Sequence, residues 1–77
     1  MNLFYFNIRD GETILDGVGT RLPSIDAAKA EALGTSSDLI RSVRSIWEGT
    51  PWSLWVTDGP NATGKTLFTL EFSARVH

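Results

Sequence analysis

Two periods run through the apolar positions of this chain, and they divide it into elements. Over residues 3–9 the period is two. Phe4, Phe6 and Ile8 fall on one side, Leu3, Tyr5 and Asn7 on the other, and the aromatic and β-branched content predicts a strand. Asp10-Gly11 then favours a hairpin, with a return strand over 12–16. Gly17-Val18-Gly19 ends that strand. Thr20 to Pro23 is an extended approach to the next element, because a residue before proline avoids the α region.

From Ser24 to Trp47 the pattern becomes helical. Ile25, Ala28, Ala32, Leu39, Val43 and Ile46 step by three, four, seven, four and three, one stripe down a helix. Ser24 is the expected N-cap, with Asp26 in the first turn favourable to the helix dipole. Gly34-Thr35-Ser36-Ser37-Asp38 strings together poor helix formers, and Thr35 with Asp38 imitates a capping box. Ala32 and Leu39 are nonetheless a heptad apart, so the stripe keeps its phase. One continuous helix is expected, with a kink or a second helix at Gly34 as the alternative. Glu48-Gly49-Thr50-Pro51 is a stop signal. Period two then returns over 52–57, with Trp52, Leu54 and Val56 opposite Ser53, Trp55 and Thr57. It returns again over 65–72, with Phe68, Leu70 and Phe72 opposite Leu67, Thr69 and Glu71. Residues 58–64 read as a loop and 73–77 as a frayed tail.

The order strand, strand, helix, strand, strand predicts a single α+β domain over 1–77. It is a two-layer ββαββ sandwich, with one long helix on one face of a four-stranded, mainly antiparallel sheet. The order two-one-three-four places the most apolar strand, the first, in the middle. A helix over 24–47 would span roughly 35 Å, against about 23 Å for a seven-residue strand, so it must overhang the sheet or bend near Gly34. The covered face should hold Phe4, Phe6, Ile8, Leu54, Val56, Phe68, Leu70 and Phe72. Trp47 and Trp52, flanking Pro51, should close the end of the core.

Composition narrows the options. A chain of 77 residues buries only about 60% of its unfolded surface. Without cysteine it has neither disulfides nor thiolate metal sites, which leaves association with other chains as a source of stability. Leu3-Phe4-Tyr5-Phe6 is too short for a membrane span, and no charged-then-apolar leader is visible, so a cytoplasmic location is expected. The net charge is −2 and the seven basic residues are scattered. Arg41 and Arg44 are the one close pair, and Asp38 and Glu48 reach them at helical spacing. That balance argues against a nucleic-acid partner.

The run Phe4-Tyr5-Phe6-Asn7-Ile8-Arg9-Asp10-Gly11 resembles the opening of an uncharacterised family of small proteobacterial proteins, common in rhizobia and their relatives. Those begin with an aromatic strand ending in His/Asn-Ile-Arg-Asp-Gly. The similarity continues through Leu22-Pro23, the helix start Ala27 to Leu33, and Trp52 to Asp58 with the strand after it. These motifs are structural, and the resemblance implies no activity. This chain departs from the pattern at Gly34 to Ser37, usually a strong helix-forming stretch, and in its longer loop from Asp58 to Gly64.

Candidate chemistry is sparse. Gly59-Pro60-Asn61-Ala62-Thr63-Gly64-Lys65-Thr66 matches the phosphate-binding pattern GxxxxGK[ST]. A true phosphate loop opens a helix whose N-terminus faces the phosphates, whereas residues 66–72 alternate as a strand, and Pro60 removes a donor. Turn chemistry is the expected role. Asn61-Ala62-Thr63 is a glycosylation sequon by chance, and His77, the single histidine, is terminal. Asp10, Glu12, Asp16 and Asp58 are read as turn-forming, since Asp10 and Asp58 should lie at opposite ends of the sheet. No catalytic residue, metal site or cofactor is expected. The uncovered face would carry Leu3, Tyr5, Trp55 and Leu67, and an exposed indole there marks an interface. The reading is a non-enzymatic protein-interaction module, a homodimer through Tyr5, Trp55 and Leu67 or a partner of another protein. The alternatives are an antitoxin-like nucleic-acid regulator and, weakest, nucleotide binding at Gly59 to Thr66.

Overall fold

The computed structural model describes residues 1–77 and resolves the two periods into five strands and one α-helix. These are β1 (Asn2–Arg9), β2 (Thr13–Ile14), β3 (Thr20–Leu22), α1 (Ile25–Ile40), β4 (Trp52–Thr57) and β5 (Thr66–Phe72). All pairings are antiparallel, in the order β2-β1-β4-β5, with β3 also paired to β1. The helix packs over β3 and β4. The result is the expected two-layer α+β sandwich, and the expected strand order is the one found.

The additional strand is the approach to the helix. Pro23 holds Leu22 extended, and an extended segment beside an open strand edge completes a ladder, here Asn2 to Leu22, Leu3 to Arg21 and Phe4 to Thr20. The strand expected over 12–16 is shorter, because only Thr13 and Ile14 pair with β1 before the chain turns at Asp16.

The helix runs unbroken through Gly34, as the apolar phase predicts. Ser24 caps it, its Oγ accepting from the Ala27 amide at 3.1 Å. Its end differs from the expectation: it stops at Ile40, not Trp47. Sixteen residues give about 24 Å, a match to the sheet beneath. Beyond Ile40 there is no sheet to cover. The Ser42 amide and hydroxyl turn to the Leu39 carbonyl at 3.2 and 3.1 Å, and the Val43 amide to that of Ile40 at 3.3 Å. A 3₁₀ turn at Ser45–Glu48 then brings Ile46 back into the core.

Early termination changes which residues face inward. The buried stripe is Ala28, Ala32 and Ser36, while Ile25 and Leu39 lie exposed at the two ends of the helix. Small side chains let the helix backbone approach the sheet. Trp52 closes the core as expected, edge-on to Phe72 with centroids 5.6 Å apart. Trp47 does not. It is 67% exposed, because the 3₁₀ turn that buries Ile46 rotates its neighbour outward. Phe4, Leu54 and Val56 form the centre of the predicted inner face, and Phe6, Ile8, Phe68, Leu70 and Phe72 pack around it half-buried.

Candidate interaction surface

Strand alternation sends Tyr5, Asn7 and Arg9 of β1, Ser53, Trp55 and Thr57 of β4, and Thr69 and Glu71 of β5 to the face away from α1. One half of that face is sealed by the chain itself. The segment Asp16–Gly19 and a 3₁₀ turn at Pro60–Ala62 fold over it, joined where the Asn61 amide donates to the Asp16 carbonyl at 2.8 Å. Beneath them lies a polar network. Asn7 is fully buried; its Nδ2 donates to the carbonyls of Tyr5 (3.4 Å) and Trp55 (3.2 Å) and to Thr57 Oγ1 (3.2 Å). Its Oδ1 accepts from the Asp16 amide at 3.0 Å, and Thr57 Oγ1 donates to the Gly59 carbonyl at 2.8 Å.

Asp16 is the hub of this seal. Its carboxylate accepts from the amides of Phe6 (3.0 Å), Val18 (2.9 Å) and Gly19 (3.0 Å). The Phe6 amide sits in the gap between the β2 and β3 pairings, so Asp16 completes an edge that the backbone leaves open. Burial raises the Asp16 pKa, but the N–H groups of Gly19, Phe6 and Val18 outweigh it and hold the carboxyl below its ordinary value. Gly19 is at φ +81°, and a Cβ there would come within 2.8 Å of the Tyr5 ring. Only glycine lets the loop close over Tyr5.

The other half is open. Arg9, Ser53 and Glu71 lie in one row across three strands, with Trp55 and Thr69 in the next. The Arg9 guanidinium stands 5.4 Å from the Trp55 ring centroid. Together with Thr66 these residues line a shallow depression of about 250 Å³. A larger groove of about 640 Å³ opens where β1 runs past the end of β4, its apolar lining made by Leu3, Phe4, Tyr5, Ile25 and Leu67. The three residues expected to form one interface fall on these two hollows. Tyr5, at 9% exposure, and Leu67 both line the groove, and Trp55 lines the depression.

The phosphate-loop look-alike is closed by its own carboxylate. Asp58 Oδ1 accepts from the Lys65 amide at 2.7 Å, and the Thr63 and Asn61 amides are taken by the carbonyls of Pro60 and Asp16. Strand β5, not a helix, follows Lys65. The pairing of Tyr5 with Thr57 and of Arg9 with Ser53 puts Asp10 and Asp58 at opposite ends of the sheet. No three His, Cys, Asp or Glu side chains gather closely enough to hold a metal ion, and no helix is long and apolar enough to cross a membrane.

The architecture defines a small two-layer α+β protein whose outer face is half sealed and half open. The chain belongs to the family described as Domain of unknown function (DUF6894), which it matches over residues 3–73. No curated protein and no solved structure matches it.

Proposed function

We propose that this domain is a protein-interaction module that works as a pair of identical chains and catalyses no reaction. The observation that supports this reading is the open side of the sheet. There the chain covers Tyr5, Asn7 and Thr57 with its own loops but leaves Trp55 and Leu67 half-buried beside an edge strand that nothing covers. A large aromatic at a partly desolvated position is the usual anchor of a protein contact. The absence of cysteine asks for no oxidising compartment, in keeping with a cytoplasmic place, and the resemblance in residues 4–11 favours a bacterial, proteobacterial source. Size-exclusion chromatography with light scattering, run from micromolar to millimolar protein, tests the reading. A dimer that forms within that range supports it. A monomer throughout contradicts it.

A further inference from the structure

We infer that Asp10-Gly11 is a site of spontaneous backbone modification, where the aspartate cyclises on the Gly11 amide and reopens as isoaspartate. The chain holds three Asp-Gly steps: Asp10-Gly11, Asp16-Gly17 and Asp58-Gly59. Each is chemically competent, because glycine has no side chain to obstruct attack by its amide nitrogen. The fold leaves one of them free.

Water is the one co-reactant. The Gly11 nitrogen attacks Cγ of the protonated Asp10 carboxyl and a C–N bond forms. The carboxyl hydroxyl leaves with the amide proton as water, and the product is a cyclic succinimide. Water then adds to one of its two carbonyls. Opening at Cγ restores aspartate. Opening at the main-chain carbonyl leaves the chain running through the side-chain carboxyl, with the former carbonyl as a free carboxylate. The sum is an isomerisation without change of mass.

Ring closure needs a carboxyl free to turn and room for the peptide to rotate. Asp16 has neither. Its Oδ2 accepts from the Phe6 amide and its Oδ1 from those of Val18 and Gly19. A Cβ on Gly17 would come within 3.0 Å of Asn61 Oδ1. The same amides hold the Asp16 carboxyl below its ordinary pKa, which depletes the protonated form that loses water. Asp58 is held as well. Its Oδ1 accepts from the Lys65 amide at 2.7 Å, and a Cβ on Gly59 would come within 2.6 Å of Thr63 Oγ1. Asp10 differs on both counts. Its carboxylate accepts one long bond, from the Glu12 amide at 3.4 Å. Gly11 is exposed, and a Cβ on it would meet nothing within 4 Å. Conversion adds one backbone carbon to the turn between Arg9 and Thr13, the pair that begins the β1–β2 ladder. Arg9 Nε donates to Thr13 Oγ1 at 3.3 Å and its guanidinium stands over Trp55, so the change reaches the open face.

Folded protein held in warm neutral buffer made with heavy-oxygen water tests this. Each passage through the ring takes up one labelled oxygen, and electron-transfer fragmentation of the peptides separates isoaspartate from aspartate. Label and isoaspartate should accumulate at Asp10, and about tenfold or more slowly at Asp16 and Asp58, which must first open locally. In urea, with the fold lost, the three should convert at comparable rates. Asp10→Glu, whose longer side chain closes its ring far more slowly, should abolish conversion at that position while the urea midpoint is kept. Equal rates at the three steps in folded protein, faster conversion at Asp16 or Asp58, or no label at Asp10 would each overturn the inference.

Discussion

Ser36 is fully buried under the helix, and its hydroxyl has no hydrogen-bond partner. A buried polar group without a partner destabilises a fold by about 1–3 kcal/mol, and serine is a weaker helix former than alanine. Ser36→Ala should therefore stabilise the protein by about 1–2 kcal/mol in urea unfolding. A loss of stability would mean that the hydroxyl has a role in the folded state. Asp16 works in the opposite sense. Its carboxylate satisfies three amides that no strand reaches, so Asp16→Ala should cost about 2–4 kcal/mol. Its folded pKa lies below the unfolded one. The stability it supplies is thus full above the unfolded pKa, near about 3.9, and is lost as pH falls through the folded value. Acid titration of the urea midpoint should fall more steeply for wild type than for Asp16→Asn, and equal slopes would contradict the assignment. None of this was legible in sequence. Asn7 and Thr57 are fifty positions apart, and no local pattern links them. Asp16 reads only as a turn residue, because the amides it holds belong to a strand and a loop brought together by folding.

At the scale of elements, periodicity carries most of the information. Alternation identifies β1, β4 and β5 to within a residue or two, and heptad phase carries the helix through Gly34. The end of the helix was illegible for a geometric reason: Val43 and Ile46 keep the helical spacing, but the sheet is shorter than the stripe. Ile46 still reaches the core, through a 3₁₀ turn. β3 was hidden because its three residues show no alternation, and its partner edge exists only once β1 is in place. Gly34 is helical and exposed, and a Cβ there would meet nothing within 4 Å. Gly34→Ala should stabilise the helix by about 1 kcal/mol, read as a higher melting temperature; a lower one would imply a kink that the continuous helix does not have. The Gly59 to Thr66 segment is a turn closed by Asp58, with the Asn61, Thr63 and Lys65 amides already engaged. Titration with Mg-ATP should leave the Gly64 and Lys65 amide resonances without saturable shifts. Micromolar saturation that is lost in Lys65→Ala would restore the phosphate-loop reading.

For the molecule as a whole, the sequence located an aromatic face but not its division. The Asp16–Gly19 and Pro60–Ala62 segments take Tyr5 inside and leave Trp55 and β5 as the side on which a second chain can add. The central claim is that this side is covered in solution, and amide hydrogen exchange measures it residue by residue. The Phe6 and Gly19 amides, bonded to Asp16 within one chain, should be protected at every protein concentration. The Thr69 and Glu71 amides, which alternation turns away from β4, should exchange rapidly in dilute protein and slow together as concentration rises. Solvent-like exchange of those two at every concentration would contradict the account.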